Sequence, residues 1–366
     1  MSKGVSNDKK QRKNKIDFLE IFNQFRKDGN FTSVGKILGK GSFGEVREII
    51  YKNKTMAGKI VMQEKNKETG EYLAYDLKGR NIIKIIKIIL KEINSKNYYL
   101  IIMEKAILRD LGKLTDFYHN HNLLKLIFPP FDEAISDILL RFYAIQIINA
   151  LELLNRNYLV HFDIKPENLL ISINLIIKLS DFSLLRKVNN KDQIKIPGGT
   201  NGYLTMEYFK KDEKVSGFDT RKQDYFSLGS TLYYLKYGKP MLKYKKCDDN
   251  ETYRLTILEK LQNEISSIRS DPFTDQEFID FLVSLVGYTP DDRPTFEEIY
   301  RNKWLNKNLI ELNETFSIFE YDEEKLIIEL QKKDFIIEKE NQKKDKNNIT
   351  TKKFKFKKSN KKLNKK

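Results

Sequence analysis

The spacing of apolar residues changes once along this 366-residue chain, and that change limits what it can fold into. From residue 31 to 62, apolar and polar positions alternate around glycines, the two-residue period of hairpin strands. Residues 65–78 read as a helix, and 81–90 and 98–103, rich in isoleucine and tyrosine, read as two further strands. Beyond about residue 107 the period lengthens to that of helices. The clearest covers 132–155, with Ile135, Ile138, Leu139, Phe142, Ile145 and Ile148 on one face. Similar segments fall near 223–237, 252–265, 275–286 and 295–305, and no internal repeat is present. A small sheet-rich half followed by a larger helical half is an α+β architecture. The first 30 residues are polar, although residues 16–25 have the apolar spacing of a short amphipathic helix.

Composition excludes several function classes. Forty per cent apolar and 12% aromatic residues suffice for a core. A single cysteine, Cys247, excludes a disulfide framework and any multi-cysteine metal site. Three histidines (His119, His121, His161) leave little for a histidine-rich centre. No apolar run approaches the ~18 residues of a membrane span, and Met1-Ser2 opens neither a signal peptide nor a myristoylation site. An intracellular protein, cytoplasmic or nuclear, is expected. The net charge of +16 is uneven: residues 341–366 hold 12 lysines and one acid, Asp345, which is +11, and the rest of the chain carries +5. That tail is expected to be disordered. It suits an acidic partner, an import receptor, an anionic membrane surface or nucleic acid, and equally a purely solubilising role. Phe354 and Phe356 lean toward membrane or stacking contacts.

Four short stretches carry chemistry. Gly39-Lys40-Gly41-Ser42-Phe43-Gly44-Glu45-Val46 has the glycine spacing that lets a hairpin backbone approach phosphates, a pattern a dinucleotide site shares. Met56-Ala57-Gly58-Lys59 ends a strand-like run on a lysine rather than opening a helix. His161-Phe162-Asp163-Ile164-Lys165-Pro166-Glu167-Asn168 follows much later, then Asp181-Phe182-Ser183. Singly each has an ordinary structural explanation, such as a solvated lysine, a capping aspartate or a packed core histidine. Their joint order does not.

In that order and spacing, from about Phe31 to Leu305, the chain resembles the eukaryotic protein kinases. The resemblance implies two lobes, with ATP in the cleft between them. It divides the chain into a polar extension (1–30), an N-lobe (31–105), a C-lobe (106–306), a helical extension (307–340) and the lysine-rich tail (341–366). It implies Lys59 on the α and β phosphates, partnered by Glu71 or, because the 12-residue gap is short, by Glu68. Asp163 is expected to orient the substrate hydroxyl, with Asn168 and Asp181 holding Mg²⁺, or Mn²⁺. Leu38 and the residues Gly39 to Gly44 would cover the nucleotide. Val46, Ala57 and Leu170 would enclose adenine, Met103 would be the gatekeeper, and Glu104 and Ala106 would offer hinge backbone groups. Lys165 and Thr200 match the serine/threonine branch. Lys222-Gln223-Asp224 matches the start of a central buried helix, and Arg293 is expected to pair with Glu207.

Protein serine/threonine kinase activity follows, with a catalytically inactive scaffold or nucleotide sensor as the alternative. A small-molecule kinase is disfavoured by Lys165, Thr200 and the Glu207 segment. The departures are specific. Phe162 stands where the family has an arginine that receives an activation-loop phosphate, and residues 184–199 contain no serine or threonine. Activity independent of loop phosphorylation is therefore expected. Ser183 replaces the usual glycine, and Thr205-Met206 the usual Ala-Pro. Asp110 and Glu167 match positions that accept upstream basic residues of a substrate; otherwise Asp110 would bind ribose and Glu167 would be solvated.

Overall fold

Two tight turns organise the first half of the fold. Lys52-Asn53 and Asn94-Ser95 all have positive φ, between 49° and 61°, the backbone of two-residue hairpin loops whose twist matches that of strands. They join β2 (Gly44–Tyr51) to β3 (Lys54–Met62) and β4 (Ile85–Ile93) to β5 (Lys96–Met103); with β1 (Phe31–Gly41) these form one antiparallel sheet ordered β1-β2-β3-β5-β4. The strand expected at 81–90 runs later, because the Asn94-Ser95 turn sets where β4 ends. This computed structural model describes residues 17–41, 44–63, 69–106, 110–121, 137–172, 175–209, 214–243 and 250–307. The loop tip Ser42-Phe43, Glu68, Cys247 and everything expected of 308–366, tail included, lie outside the described residues.

Ahead of the sheet, Asp17 caps α1 (Phe18–Gly29), accepting the Leu19 amide at 3.0 Å. The helix buries Ile21, Phe22 and Phe25 against Ile49, Ile60, Leu100 and Ile102. Each such side chain contributes roughly 1.5–3 kcal/mol. Lys91 fastens the helix to β4 through the Gln24 carbonyl (2.9 Å) and the Asp28 carboxylate (2.6 Å). Because side chains alternate along β3, a helix lying on Ile60 leaves the Lys59 face uncovered.

That opposite face meets α2 (Glu71–Tyr75), which stops three residues short of the end of the helix expected over 65–78; residues 65–68 lie outside the described residues. By Asn81 the chain is already tied to the second half: the Asn81 amide donates to Gln146 Oε1 and to the Ile177 carbonyl, each at 3.0 Å. Helix α3 (Leu111–His121) then precedes α4 (Asp137–Arg156). The expected Leu139 and Ile148 of α4 are buried, together with Leu140, Tyr143, Ala144, Ile147, Leu151 and Leu154; the expected Ile138, Phe142 and Ile145 are half-buried, and Ile135 lies outside the described residues. The face turns because Gln146 is buried with partners, accepting from the Ile177 amide (2.9 Å) and donating to the Leu175 carbonyl (3.0 Å), so polarity misleads there.

Short strand pairs follow: β6 (Leu159–Val160) with β9 (Arg186–Lys187), β7 (Leu169–Ile171) with β8 (Ile177–Leu179), and β10 (Gln193–Ile194) with β11 (Val215–Ser216). After α5 (Gly217–Thr220), helix α6 (Lys222–Tyr237) is buried at every position from Lys222 to Tyr233 and is the axis of the helical half. Around it lie α7 (Asn250–Arg269), α8 (Gln276–Leu285), α9 (Phe296–Tyr300) and α10 (Lys303–Asn306). Trp304 packs on Phe278 and Phe281, with ring centroids 5.0 and 5.6 Å away. Among the described residues no helix is long and apolar enough to cross a membrane.

Arg293 is 2% exposed, and its Nη2 lies 2.9 and 3.0 Å from the two carboxylate oxygens of Glu207. Truncating one partner strands a buried charge. Arg293→Ala is expected to lower the unfolding free energy by roughly 3–5 kcal/mol, read from denaturant midpoints. A loss near the ~0–1 kcal/mol of a surface pair would mean that water reaches Glu207.

Candidate active site

Strand register assembles one wall of the cleft. Val46 pairs with Lys59 and Ala57 with Met103, so directly opposed positions put Val46, Ala57, Lys59 and Met103 on one sheet face. Gly39 opposes Val46, and Gly41 opposes Gly44 at the mouth of the β1–β2 hairpin. Gly44 sits at φ 154°, and a Cβ there would come 1.8 Å from the Ile60 carbonyl, so only glycine fits. Leu38 is half-buried. Lys40 reaches Glu45 (3.0 Å) rather than standing alone. Beyond β5, the Glu104 amide donates to the Lys84 carbonyl at 2.9 Å, and the Glu104 carboxylate accepts from the Lys84 amide and from Lys178. The opposite wall carries Leu170, bridged to Asp110. The Asp110 carboxylate accepts from the Lys113 amide (2.9 Å) and ammonium (2.8 Å), capping α3.

Lys59 joins three elements. Its ammonium lies 2.7 Å from Glu71 Oε1 and 2.7 Å from Asp181 Oδ1. Burial alone would drive the proton off Lys59, but the Glu71 and Asp181 carboxylates outweigh it and hold its pKa above the usual lysine range. Burial also opposes ionisation of Asp181, yet Lys59, helped by the Ser183 hydroxyl, holds that carboxyl well below the usual carboxylate range. The second Glu71 oxygen accepts from the Thr69 hydroxyl. Of the two acids weighed as partner, Glu71 is the one seen in contact.

The loop opposite is hung from α6. The buried Asp224 carboxylate accepts the amides of His161 (2.8 Å) and Phe162 (2.9 Å), holding Phe162 at φ 66°. The His161 ring is fixed at both ends: Nδ1 accepts the Asp163 amide at 3.2 Å, so Nε2 carries the proton toward the Ser180 carbonyl at 3.1 Å. Asp163 is held on both carboxylate oxygens. Oδ1 accepts from the Thr200 hydroxyl (2.6 Å); Oδ2 accepts from Lys165 (2.7 Å) and Asn168 Nδ2 (3.0 Å). Lys165 also donates to the Thr200 oxygen at 2.6 Å. Ser180 ties this set to Asp181 next in sequence, donating its hydroxyl and amide to the Asn168 carbonyl at 3.0 and 2.9 Å.

A family model for the protein kinase domain matches residues 32–305. The chain belongs to the protein kinase family. Its relatives place it in the serine/threonine branch. It is 28% identical over 282 residues to an Aurora kinase of Saccharomyces cerevisiae, covering 75% of this chain and 69% of that one. It is 27% identical over 326 residues to the serine/threonine-protein kinase ATG1 of Kluyveromyces lactis, covering 78% of this chain and 37% of that protein. Against the human serine/threonine-protein kinase MRCK alpha it is 26% identical over 243 residues, 63% of this chain and 13% of that one. The family uses ATP with a divalent metal.

In this kinase the polar residues expected from sequence form two hydrogen-bonded sets, Glu71–Lys59–Asp181 and Asn168–Asp163–Lys165–Thr200, joined through Ser180, which precedes Asp181 and donates to the Asn168 carbonyl. Ser42 and Phe43 lie outside the described residues. Sequence reading passed over Ser180, Thr69 and the double role of His161. The signal for Ser180 was its place directly before Asp181.

Burial lowers the His161 pKa to about 4, against an ordinary 6.5, so the ring is neutral at pH 7. Between those values the unfolded chain binds a proton that the folded one refuses, so this contribution to stability is lost as pH falls from 6.5 toward 4. Asp224, pushed up to about 7 by burial, contributes the opposite slope across the whole of that interval. The His161 effect is therefore read as a difference: wild type should lose up to roughly 3 kcal/mol more than His161→Gln across that window. Parallel stability curves would mean that the ring takes up its proton at the same pH in the folded and unfolded chain.

Proposed function

We propose that this kinase is catalytically active and transfers the γ-phosphate of ATP to serine or threonine hydroxyls of protein substrates. The observation that carries this reading is the Asp163 carboxylate, held by three donors beside a Lys59 that bridges Glu71 and Asp181. Lys59, kept cationic, grips the α and β phosphates. Leu38, Val46, Ala57, Met103 and Leu170 enclose adenine, Glu104 and Ala106 meet its edge with backbone groups, and the Gly39–Gly44 hairpin covers the phosphates. The oxygen donors fit a divalent metal. Asp181 stays ionised, and Asn168 spends its side-chain NH₂ on Asp163, which leaves the side-chain Oδ1 for a cation. Both are hard ligands suited to Mg²⁺, with Mn²⁺ as a substitute. The bound metal supplies charge neutralisation for the phosphates. Asp163 orients the incoming hydroxyl and takes its proton, while Lys165 balances the charge developing between Asp163 and the transferred group. Thr200 keeps Asp163 from rotating.

Transfer from labelled ATP to mixed basic peptides tests this. Asp163→Asn is expected to cut turnover by about 10²–10⁴-fold with nucleotide affinity retained. Nucleotide binding without any transfer in the wild type would leave the scaffold or sensor reading of the same fold.

Two finer points belong to the same proposal. Activity does not depend on a loop phosphate, since residues 184–199 offer no serine, threonine or tyrosine and Phe162 offers no guanidinium. Phosphatase treatment should leave turnover unchanged, and its loss would refute the point. Substrates carry basic residues upstream of the target hydroxyl. Glu167 is exposed and supplies the attracting charge, whereas Asp110 already shares its carboxylate with Lys113. A peptide array with no upstream basic preference would remove this. The lysines of 341–366 suit an acidic protein, an anionic membrane or nucleic acid, in each case a salt-dependent attachment.

A further inference from the structure

Phe162 breaks two rules at once. It is an aromatic residue at φ 66°, and it stands where an arginine would meet a phosphate. Backbone outliers of this kind persist only where surroundings over-determine them. Here Asp224 holds the Phe162 amide, and the ring, 2% exposed, is packed with Val160, Val188 and Ile196, flanked by Leu184, Ile194 and Val215. Four of those six belong to the stretch 184–199, and Val215 belongs to β11, which pairs with it.

The stretch is stitched at both ends of this cluster. Val160 pairs with Arg186, and the Val188 amide donates to the Tyr158 carbonyl at 2.7 Å. Farther on, Ile194 pairs with Val215, and the Gly217 amide donates to the Asp192 carbonyl at 2.8 Å. The exit then runs back under the loop. Gly199, at φ 153°, comes so close that a Cβ would lie 2.8 Å from the Phe162 carbonyl. The next residue, Thr200, is the one whose hydroxyl holds Asp163. A ring fixing Ile196 thus fixes, four residues later, a donor to the reacting carboxylate.

We propose that Phe162 is the positioning residue of this segment: its ring pins residues 188–196 by apolar packing, where an arginine would do so through a phosphate, and thereby sets Thr200 against Asp163. The proposal rests on the phosphate-independent reading above. It differs from it by naming what replaces the charge. An arginine–phosphate contact is made and unmade by modification, whereas an apolar pin closes when the chain folds.

The test uses the full chain. In Phe162→Ala, tryptic cleavage after Lys191 and Lys195, both exposed, should accelerate by on the order of tenfold or more, because local opening becomes cheaper. The kcat should fall by a similar factor and the peptide KM should rise, while the KM for ATP stays within about twofold, since Lys59 and Asp181 are untouched. Phe162→Leu should restore most of both. Should Phe162→Ala fail to fold, Ile196→Ala removes the same contact from the other side and carries the same expectations. Unchanged cleavage and unchanged kcat in either alanine variant overturn the pin, as does a loss that Phe162→Leu does not relieve. Phosphatase sensitivity of the wild type would instead refute phosphate independence. The cleavage pattern reads the pin even in a chain that transfers no phosphate.

Discussion

A single ammonium group holds the working parts of this kinase together. Lys59 comes from the sheet, Glu71 from a one-turn helix, and Asp181 from the turn after β8 in the helical half. Lys59 and Glu71 are buried and Asp181 is half-buried, so the inner two charges are costly unless their partners are present. A charged lysine between two carboxylates is therefore a condition on the relative placement of all three elements, and any displacement that separates them strands a charge in low dielectric. The helix is the weakest of the three. Five residues cannot sustain a helix by themselves, and α2 is kept in place from outside. Thr69 occupies the second Glu71 oxygen, and at Gly70 a Cβ would come 2.0 Å from the Phe182 carbonyl, so the helix start rests directly on the segment that carries Asp181.

The second constraint is a carboxylate with no counter-cation. Asp224 is buried in α6 and satisfied by two amides, those of His161 and Phe162. Backbone donors are an economical partner for a buried acid because they are fixed by the chain and need no second charge. The arrangement hangs the Asp163 loop from the most buried helix in the molecule. His161 extends it by accepting the Asp163 amide and donating toward Ser180, so that Asp163 and Asp181 share one rigid support. That support is neutral at its centre, because burial keeps the His161 ring unprotonated.

Much of this was legible in the sequence, and for a physical reason. The residues of Asp163–Asn168 and Asp181–Ser183 act within a few positions of each other, so their chemistry is visible as contiguous strings, and the change in apolar period marks the two lobes. The arrangement expected for the pair Arg293–Glu207 is likewise seen. What was not legible depends on distant partners. Helix α2 ends at Tyr75, and by Asn81 the chain is held by Gln146, 65 residues away. The inner face of α4 holds the expected Leu139 and Ile148 but turns away from Ile138, Phe142 and Ile145 beside a buried, fully engaged Gln146, and a polar residue with partners looks like surface from its letter alone. Phe162 was read as a missing arginine; only the three-dimensional neighbourhood shows an aromatic ring with its own partners.

Helix α1 makes the same point from the opposite direction. Its apolar spacing was visible in the first 30 residues, but nothing local says that a sheet needs it. An antiparallel sheet with one face given to a nucleotide cleft still exposes Ile49, Ile60, Leu100 and Ile102 on the other, and these read as ordinary alternating strand residues. Left in water they would form a continuous apolar patch. Ile21, Phe22 and Phe25 close it, and Asp28 and the Gln24 carbonyl receive Lys91 at its margin. The cleft-side chemistry of β3 and the helix on its back are therefore one problem in strand alternation. Ala57 and Lys59 can share the opposite face only because Ile60 has somewhere dry to go.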